Sequence, residues 1–174
     1  MANAGLPFAV LNRLLTAARW PLAAFVASGL MLTAAHIFQA FGYAPCHLCL
    51  RQREVYWAIL GVSAVALASN RVRPDALQAR LFTILIGLGF LYGAGVAAFH
   101  AGVEWKFWPG PEICAGGFGN FQARDLSKAL EGPQRIIRCD EAAWRMLGIS
   151  MAGYNALISA GLAFLSGLAA RKPR

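Results

Sequence analysis

Four stretches of this chain run without an Asp, Glu, Lys or Arg, apart from Arg51 at the edge of the first: Trp20 to Gln52, Val55 to Asn70, Leu81 to Val103 and Met146 to Ala170. Trimmed to their apolar cores they are Trp20–Phe41, Val55–Ser69, Leu81–Phe99 and Leu147–Ala169. A helix needs about 17–25 apolar residues to cross the hydrocarbon core of a bilayer. Three of the four qualify outright. The second is short, but Arg53 and Glu54 at one end and Arg71 at the other can snorkel to the interfaces. Composition agrees: AVILMFWYC make up 58% of the 174 residues and charged residues 14%. A soluble domain of this size leaves about a third of its unfolded-chain surface exposed and cannot hide so much apolar area. The first stretch is too long for the apolar region of a secretory signal peptide, and it leads into Pro45-Cys46 rather than a mature soluble domain. The expectation is an all-α membrane protein, one four-transmembrane-helix bundle over residues 1–174 with two outward loops, about 42–54 and 101–146.

The formal net charge of +8 suggests a nucleic-acid partner only until the charges are placed. With four spans, both termini and the loop between spans two and three share one side. That side carries Arg13, Arg19, Arg71, Arg73, Arg80, Arg171, Lys172 and Arg174 against one acid, Asp75. On the other side the short loop holds Arg51 and Arg53 against Glu54, and the long loop balances its bases and acids. The positive-inside bias makes both termini cytoplasmic. The basic excess then faces anionic inner-leaflet lipid, with no nucleic acid required.

All four cysteines fall in the outward loops: Cys46 and Cys49 in the first, Cys114 and Cys139 in the second. Cysteines used as small hydrophobes would fall mainly in the spans, whereas these face a compartment in which disulfides persist. Three readings compete. Two structural disulfides would staple the loops, and closing the Cys114–Cys139 loop is worth roughly 3–4 kcal/mol on the chain-entropy model. Cys46-His47-Leu48-Cys49 fits that role poorly, because a C-x-x-C ring is tight and typical of redox pairs. Four thiolates on zinc would call for knuckles about 15–20 residues apart, which this spacing does not give. The third reading is a thiol relay, in which the C-x-x-C exchanges with a second pair that reaches an external substrate.

A relay needs a source or sink of electrons. No haem-attachment, dinucleotide or flavin fingerprint is present, since Leu50 follows Cys49 and the glycines lie in apolar spans. A lipid-soluble quinone is the sink that remains at a membrane surface. The second span begins near Cys49, so its helix dipole favours a thiolate there. Arg53 follows Cys49 by one turn, on the same face. It either hydrogen-bonds a quinone carbonyl or serves as an ordinary interfacial arginine.

The segment Pro45-Cys46-His47-Leu48-Cys49-Leu50-Arg51-Gln52-Arg53 resembles the P-C-x-L-C-x-x-Q-R segment of the DsbB family, membrane proteins that reoxidise the periplasmic oxidase DsbA with quinone. Trp108 to Cys114, and the run from Arg138-Cys139-Asp140 to Gly153-Tyr154-Asn155, resemble the form found in alphaproteobacterial members. The resemblance implies a bacterial inner-membrane enzyme with periplasmic redox loops, a DsbA-like thioredoxin-fold partner, and ubiquinone or menaquinone as cofactor. It assigns Cys114 to the mixed disulfide with the partner, Cys139 to exchange onto Cys46, and Cys49 to the quinone side. Arg53 matches the family's quinone-site arginine. His100 and Glu104, four apart at the end of span three, match a quinone-proximal His followed by a Gln or Glu. No metal is implied. Two departures are Arg51, whose charge would further lower the Cys49 thiol, and Glu54-Val55, where many relatives carry a proline. Two other classes share features. A vitamin K epoxide reductase-like protein is a four-helix bundle with C-x-x-C, though near its last span, and a non-catalytic scaffold would have inert disulfides.

Remaining features take plain structural readings. Trp20, Trp57, Trp105 and Trp108 are expected in the interface belt, and Gly89 and Gly93 at a close helix contact. Ser150 and Asn155 are expected to make interhelical hydrogen bonds, and His36 and Gln39 to pack in the bundle. Phe121–Glu131 reads as a short amphipathic surface helix.

Overall fold

The computed structural model describes residues 15–111, 114 and 138–172; the helix expected over Phe121–Glu131 lies outside them. Among the described residues four helices carry the fold: α1 (Trp20–Ala40), α2 (His47–Val72), α3 (Ala76–Glu104) and α4 (Met151–Ala170). They are 21, 26, 29 and 20 residues long and all apolar enough to cross a membrane. At about 1.5 Å per residue even the shortest reaches about 30 Å, the thickness of the hydrocarbon core. A two-stranded hairpin, β1 (Arg145–Met146) against β2 (Ile149–Ser150), precedes α4.

The helices outrun the apolar cores. α2 starts at His47 rather than Val55 and α3 reaches Glu104 rather than Phe99. Hydropathy marks where lipid lies, but a helix can continue into the polar interface because its own ladder satisfies its backbone groups. This difference puts Cys49 inside α2, and His100 and Glu104 inside α3.

Local chemistry sets the ends. Cys46 is the N-cap of α2, its sulfur accepting from the Cys49 N–H at 3.3 Å. Ser150 caps α4 by accepting from the Gly153 N–H at 3.2 Å, so it does not make the interhelical bond expected of it. Both α1 and α3 end in a left-handed residue that turns the chain back on its last carbonyls. At α1 that residue is Gly42 (φ 93°), and Tyr43 N–H reaches the Phe38 carbonyl. At α3 it is Lys106 (φ 63°), and Phe107 N–H reaches the Gly102 carbonyl. The first turn delivers Pro45-Cys46 to α2, and the second starts the chain toward Cys114. Beyond it, Trp108 folds back over α3, its Nε1 donating to the Phe99 carbonyl at 3.0 Å. Its ring lies so close over Gly102 that an added methyl there would fall into it. Leu147, expected to open span four, is instead the 90% exposed tip of the hairpin (φ 50°), followed by Gly148 (φ 80°). Two successive positive φ angles are what a two-residue hairpin of this hand requires.

α1 packs on α2, α2 on α3, and α3 most extensively on α4. Small residues allow the close approaches. A methyl added at Gly89 would meet Ile59 at 3.0 Å, and one at Gly93 would meet Val55 at 3.2 Å. α1 and α4 scarcely touch along their length but are tied at one end. There Trp20 Nε1 donates to Ser166 Oγ at 2.8 Å, and Ala17 N–H donates to the Lys172 carbonyl at 2.8 Å. Trp20 is therefore a core residue, 2% exposed, not an interface anchor; Trp57, Trp105 and Trp108 are exposed. His36 does not pack in the bundle either: it is exposed, and among the described residues its ring bonds back to the Leu32 carbonyl of its own helix. Toward the cysteine end α1 and α4 leave a gap, and the residues facing it form the site.

Candidate functional site

The Cys46 and Cys49 sulfurs lie 2.9 Å apart at the N-terminus of α2, both as free cysteines. The i, i+3 spacing across an N-cap places them side by side, and the capping N–H and helix dipole both favour negative charge on Cys46. Its thiol is lowered to about 4, first by the hydrogen bond from the Cys49 thiol, against the opposing effect of burial, with His100 and the Cys49 N–H adding to the lowering. The Cys46 sulfur lies 3.6 Å from His100 Nε2. The same Nε2 is 3.7 Å from Glu104 Oε1, both side chains being buried. Glu104 Oε2 is buried and finds no hydrogen-bond partner among the described residues. Arg51 does not add its charge to the pair as expected. It turns outward, 60% exposed, onto Glu54 at 2.8 Å.

Cys114 and Cys139, 25 residues apart, are joined by a disulfide and almost fully buried. They pack with Cys46, Leu48 and Val103 into one apolar cluster, with Cys49 against it. The four cysteines thus meet in one place. On the Cys139 side, Asp140 binds Arg138 and Lys106, the left-handed residue at the end of α3. These two cations hold its carboxyl well below the usual range.

The gap between α1 and α4 is a cavity of about 330 Å³. Its wall includes Cys46, Cys49, Arg53, His100 and Glu104, among apolar groups such as Met31, Leu32, Phe38, Met151 and Ile158. Arg53 reaches across to α1, donating to Gln39 Oε1 at 2.6 Å and to the Ala35 carbonyl at 2.9 Å. Two of its five donors are thereby used and its planar fork is held at the cavity edge. Apolar walls with a few placed polar groups suit a flat ring that carries acceptor oxygens. The structure thus brings the three polar residues singled out in the sequence onto one cavity with the C-x-x-C, while Cys114 and Cys139 meet Cys46 in the adjoining cluster.

Asn155 makes the interhelical bond expected of it, in a chain of buried polar groups that also lines this cavity and whose other members, Gln52 and Tyr56, the sequence did not single out. Tyr56 OH donates to Asn155 Oδ1, Asn155 Nδ2 donates to Gln52 Oε1, and Gln52 Nε2 lies 2.8 Å from His100 Nδ1. One signal was available: Gln52 follows Cys49 by three residues and so lies on the same helical face.

Fold and site together define a class, a four-helix membrane protein whose two cysteine pairs meet beside an apolar cavity. Comparison with known proteins narrows it. The family described as Disulfide bond formation protein DsbB matches residues 17–169. A Disulfide bond formation protein B of Methylococcus capsulatus is 32% identical over 154 residues, covering 83% of this chain and 88% of that protein. One from Saccharophagus degradans is 30% identical over 144 residues, covering 79% and 82%. An uncharacterized protein of Rickettsia prowazekii is 29% identical over 130 residues, covering 74% and 72%. No solved structure matches. The chain belongs to the DsbB family; it is a multi-pass inner-membrane protein and a disulfide oxidoreductase.

Proposed function

We propose that this protein reoxidises a periplasmic DsbA-like dithiol and passes the electrons to a membrane quinone held in the cavity. The observation that carries the reading is the meeting of all four cysteines in one apolar cluster, with Cys46 and Cys49 also in the cavity wall. Structural disulfides have no need of such a junction, whereas thiol exchange requires it, because it proceeds by direct attack of sulfur on sulfur.

In this reading the partner's thiolate attacks Cys114 of the Cys114–Cys139 disulfide, forming a mixed disulfide and releasing Cys139 as thiolate. Both sulfurs are buried here, so Cys114 must be uncovered for the partner to reach it. The partner's second thiolate then displaces Cys114, leaving the partner oxidised and the second pair reduced. Exchange between the pairs carries two electrons to Cys46–Cys49 and restores Cys114–Cys139. A quinone bound in the cavity supplies the two-electron acceptor. The chain's own groups prepare the site: the α2 N-terminus and His100 stabilise thiolate at Cys46, apolar side chains exclude water, and Arg53 presents its remaining donors to a carbonyl oxygen. The basic end of the bundle and both termini face the cytoplasm and the cysteines face the periplasm.

The test is anaerobic mixing of the purified protein with a reduced dithiol partner, with and without ubiquinone or menaquinone. Catalytic oxidation only with quinone is the expected result; turnover without it, or none with it, removes the proposal. A membrane-impermeant thiol reagent added to the periplasmic side should label all four reduced cysteines. Labelling of either pair only from the cytoplasm inverts the topology.

A further inference from the structure

Gln52 is buried, 7% exposed, and the relay as described makes no use of it. Its amide has three neighbours. Nε2 donates to the Leu48 carbonyl at 3.2 Å, Oε1 accepts from Asn155 Nδ2, and Nε2 lies 2.8 Å from His100 Nδ1. A side-chain amide can be assigned either way round, and a row of amides can be reversed together. The Leu48 carbonyl removes that freedom. It is a backbone acceptor, so the group facing it must be the NH₂, and reversing Gln52 would set two oxygens against each other inside the bundle. With Nε2 of Gln52 fixed as a donor, His100 Nδ1 must accept. A neutral imidazole then carries its proton on Nε2. The surroundings of that nitrogen agree, for it faces the Cys46 sulfur at 3.6 Å and Glu104 Oε1 at 3.7 Å, both acceptors when ionised. The other tautomer would press an N–H against the Gln52 NH₂ and turn a lone pair toward the Glu104 carboxyl.

We infer that Gln52 is a positioning residue for disulfide exchange: it holds His100 as the Nε2–H tautomer, so that this N–H is aimed at the Cys46 sulfur. The inference rests on the relay reading for its consequence. In the transfer between pairs, Cys139 thiolate attacks Cys46 of the Cys46–Cys49 disulfide and Cys49 leaves as thiolate. Cys114 thiolate then attacks Cys139; the Cys114–Cys139 bond forms, the Cys46–Cys139 bond breaks, and the electron pair leaves on Cys46. His100 Nε2–H receives that charge. In the other tautomer a lone pair would face it. Asn155 on α4, itself bonded by Tyr56, donates to Gln52 Oε1 and so holds the opposite end of the amide.

The experiment is ¹⁵N NMR of the ring nitrogens in full-length protein in nanodiscs, in a His36→Asn, His47→Asn background where His100 is the remaining histidine. Gln52→Leu is compared with Gln52 intact. With Gln52, the expected spectrum is protonated Nε2 and unprotonated Nδ1; protonated Nδ1, or an even mixture, overturns the proposal. In Gln52→Leu the Nδ1–H form should appear. Quinone-free exchange from reduced Cys114/Cys139 to Cys46–Cys49 should slow in proportion to the Nε2–H fraction lost, about 2-fold if the two forms become equal. A slower rate with the tautomer unchanged, or a changed tautomer with the rate unchanged, also overturns it. Should Gln52→Leu not fold, the spectrum with Gln52 intact still decides. If the relay reading itself is wrong, the protein fails to oxidise a dithiol while the tautomer stands, so the two failures are distinguishable.

Discussion

The two cysteine pairs are assembled by different physics. Cys46 and Cys49 meet because a helix begins between them. An N-cap and a residue three further on are neighbours in any α-helix, and the capping N–H belongs to the helix itself. Cys114 and Cys139 meet across 25 residues of chain. What brings them onto the first pair is the turn at Lys106, the fold-back of Trp108 over Gly102, and the clasp of Lys106 on Asp140 beside Cys139. A locally built pair keeps its geometry while its surroundings change, whereas a pair held by contacts between distant segments can be uncovered when those contacts part. A relay needs one pair of each kind, the first fixed against a bound acceptor and the second able to meet a protein.

Substitutions at the two pairs should break the chain in different places, with the largest effects of any. Cys114→Ser is expected to abolish the mixed disulfide with the partner while leaving Cys46–Cys49 oxidisable by quinone. Cys49→Ser should do the reverse. Thiol trapping under anaerobic conditions reads both, and wild-type partner turnover by Cys114→Ser would remove the two-stage order.

Arg53→Lys comes next and affects only the first pair's side. Lysine keeps a charge but loses the planar fork that reaches Gln39, Ala35 and the cavity together. A lost hydrogen bond to a charged or charge-developing group is worth about 1.5–3 kcal/mol, or roughly 10- to 150-fold. That loss should appear as a raised apparent quinone KM, with partner exchange little changed. Unchanged quinone kinetics would leave Arg53 as a strut between α1 and α2.

The depressed thiol of Cys46 sharpens the contrast through pH. An ordinary thiol loses about tenfold in thiolate per pH unit below about 8.5. Cys46, lowered to about 4, should stay reactive toward iodoacetamide from about pH 8 down to about pH 5 and lose reactivity as pH falls through about 4. The sign for stability follows. A depressed folded value stabilises the reduced protein fully above the ordinary thiol range, and that contribution is lost as pH falls toward about 4. A Cys46 alkylation rate that falls tenfold per unit from pH 8 would contradict the capped, His100-facing thiolate.

Lys106→Ala should have the smallest effect. Its bridge to Asp140 is exposed, and Arg138 also holds that carboxyl, so the loss is at most about 1 kcal/mol. For a two-electron couple that is about 20 mV in the potential of Cys114–Cys139, measurable by titration against glutathione. A larger shift would mean that this clasp, rather than the apolar cluster, sets the second pair's potential.

Much of this protein could be read from the chain because lipid makes each span a local problem. Every backbone group in a bilayer must be paired within its own helix, so four charge-free stretches gave four helices, although α2 starts eight residues before its apolar core. The C-x-x-C and the position of Arg53 one turn beyond it were also legible, being fixed by 3.6-residue geometry alone. Which polar side chains meet across helices was not. Trp20 looked like an interface residue and is instead the tie between α1 and α4. Gln52 and Tyr56, one turn apart on α2, lie about a hundred residues from Asn155 and meet it only when α2 and α4 are packed. The cavity, likewise, belongs to no segment. It exists because α1 and α4 are joined at one end and separate at the other, a consequence of small-residue contacts and single hydrogen bonds that hydropathy does not encode. Sequence alone determined that the chain crosses the membrane and where its sulfurs lie along it; the tertiary structure decided how the two cysteine pairs come together and what stands beside them, because those contacts join segments distant in the chain.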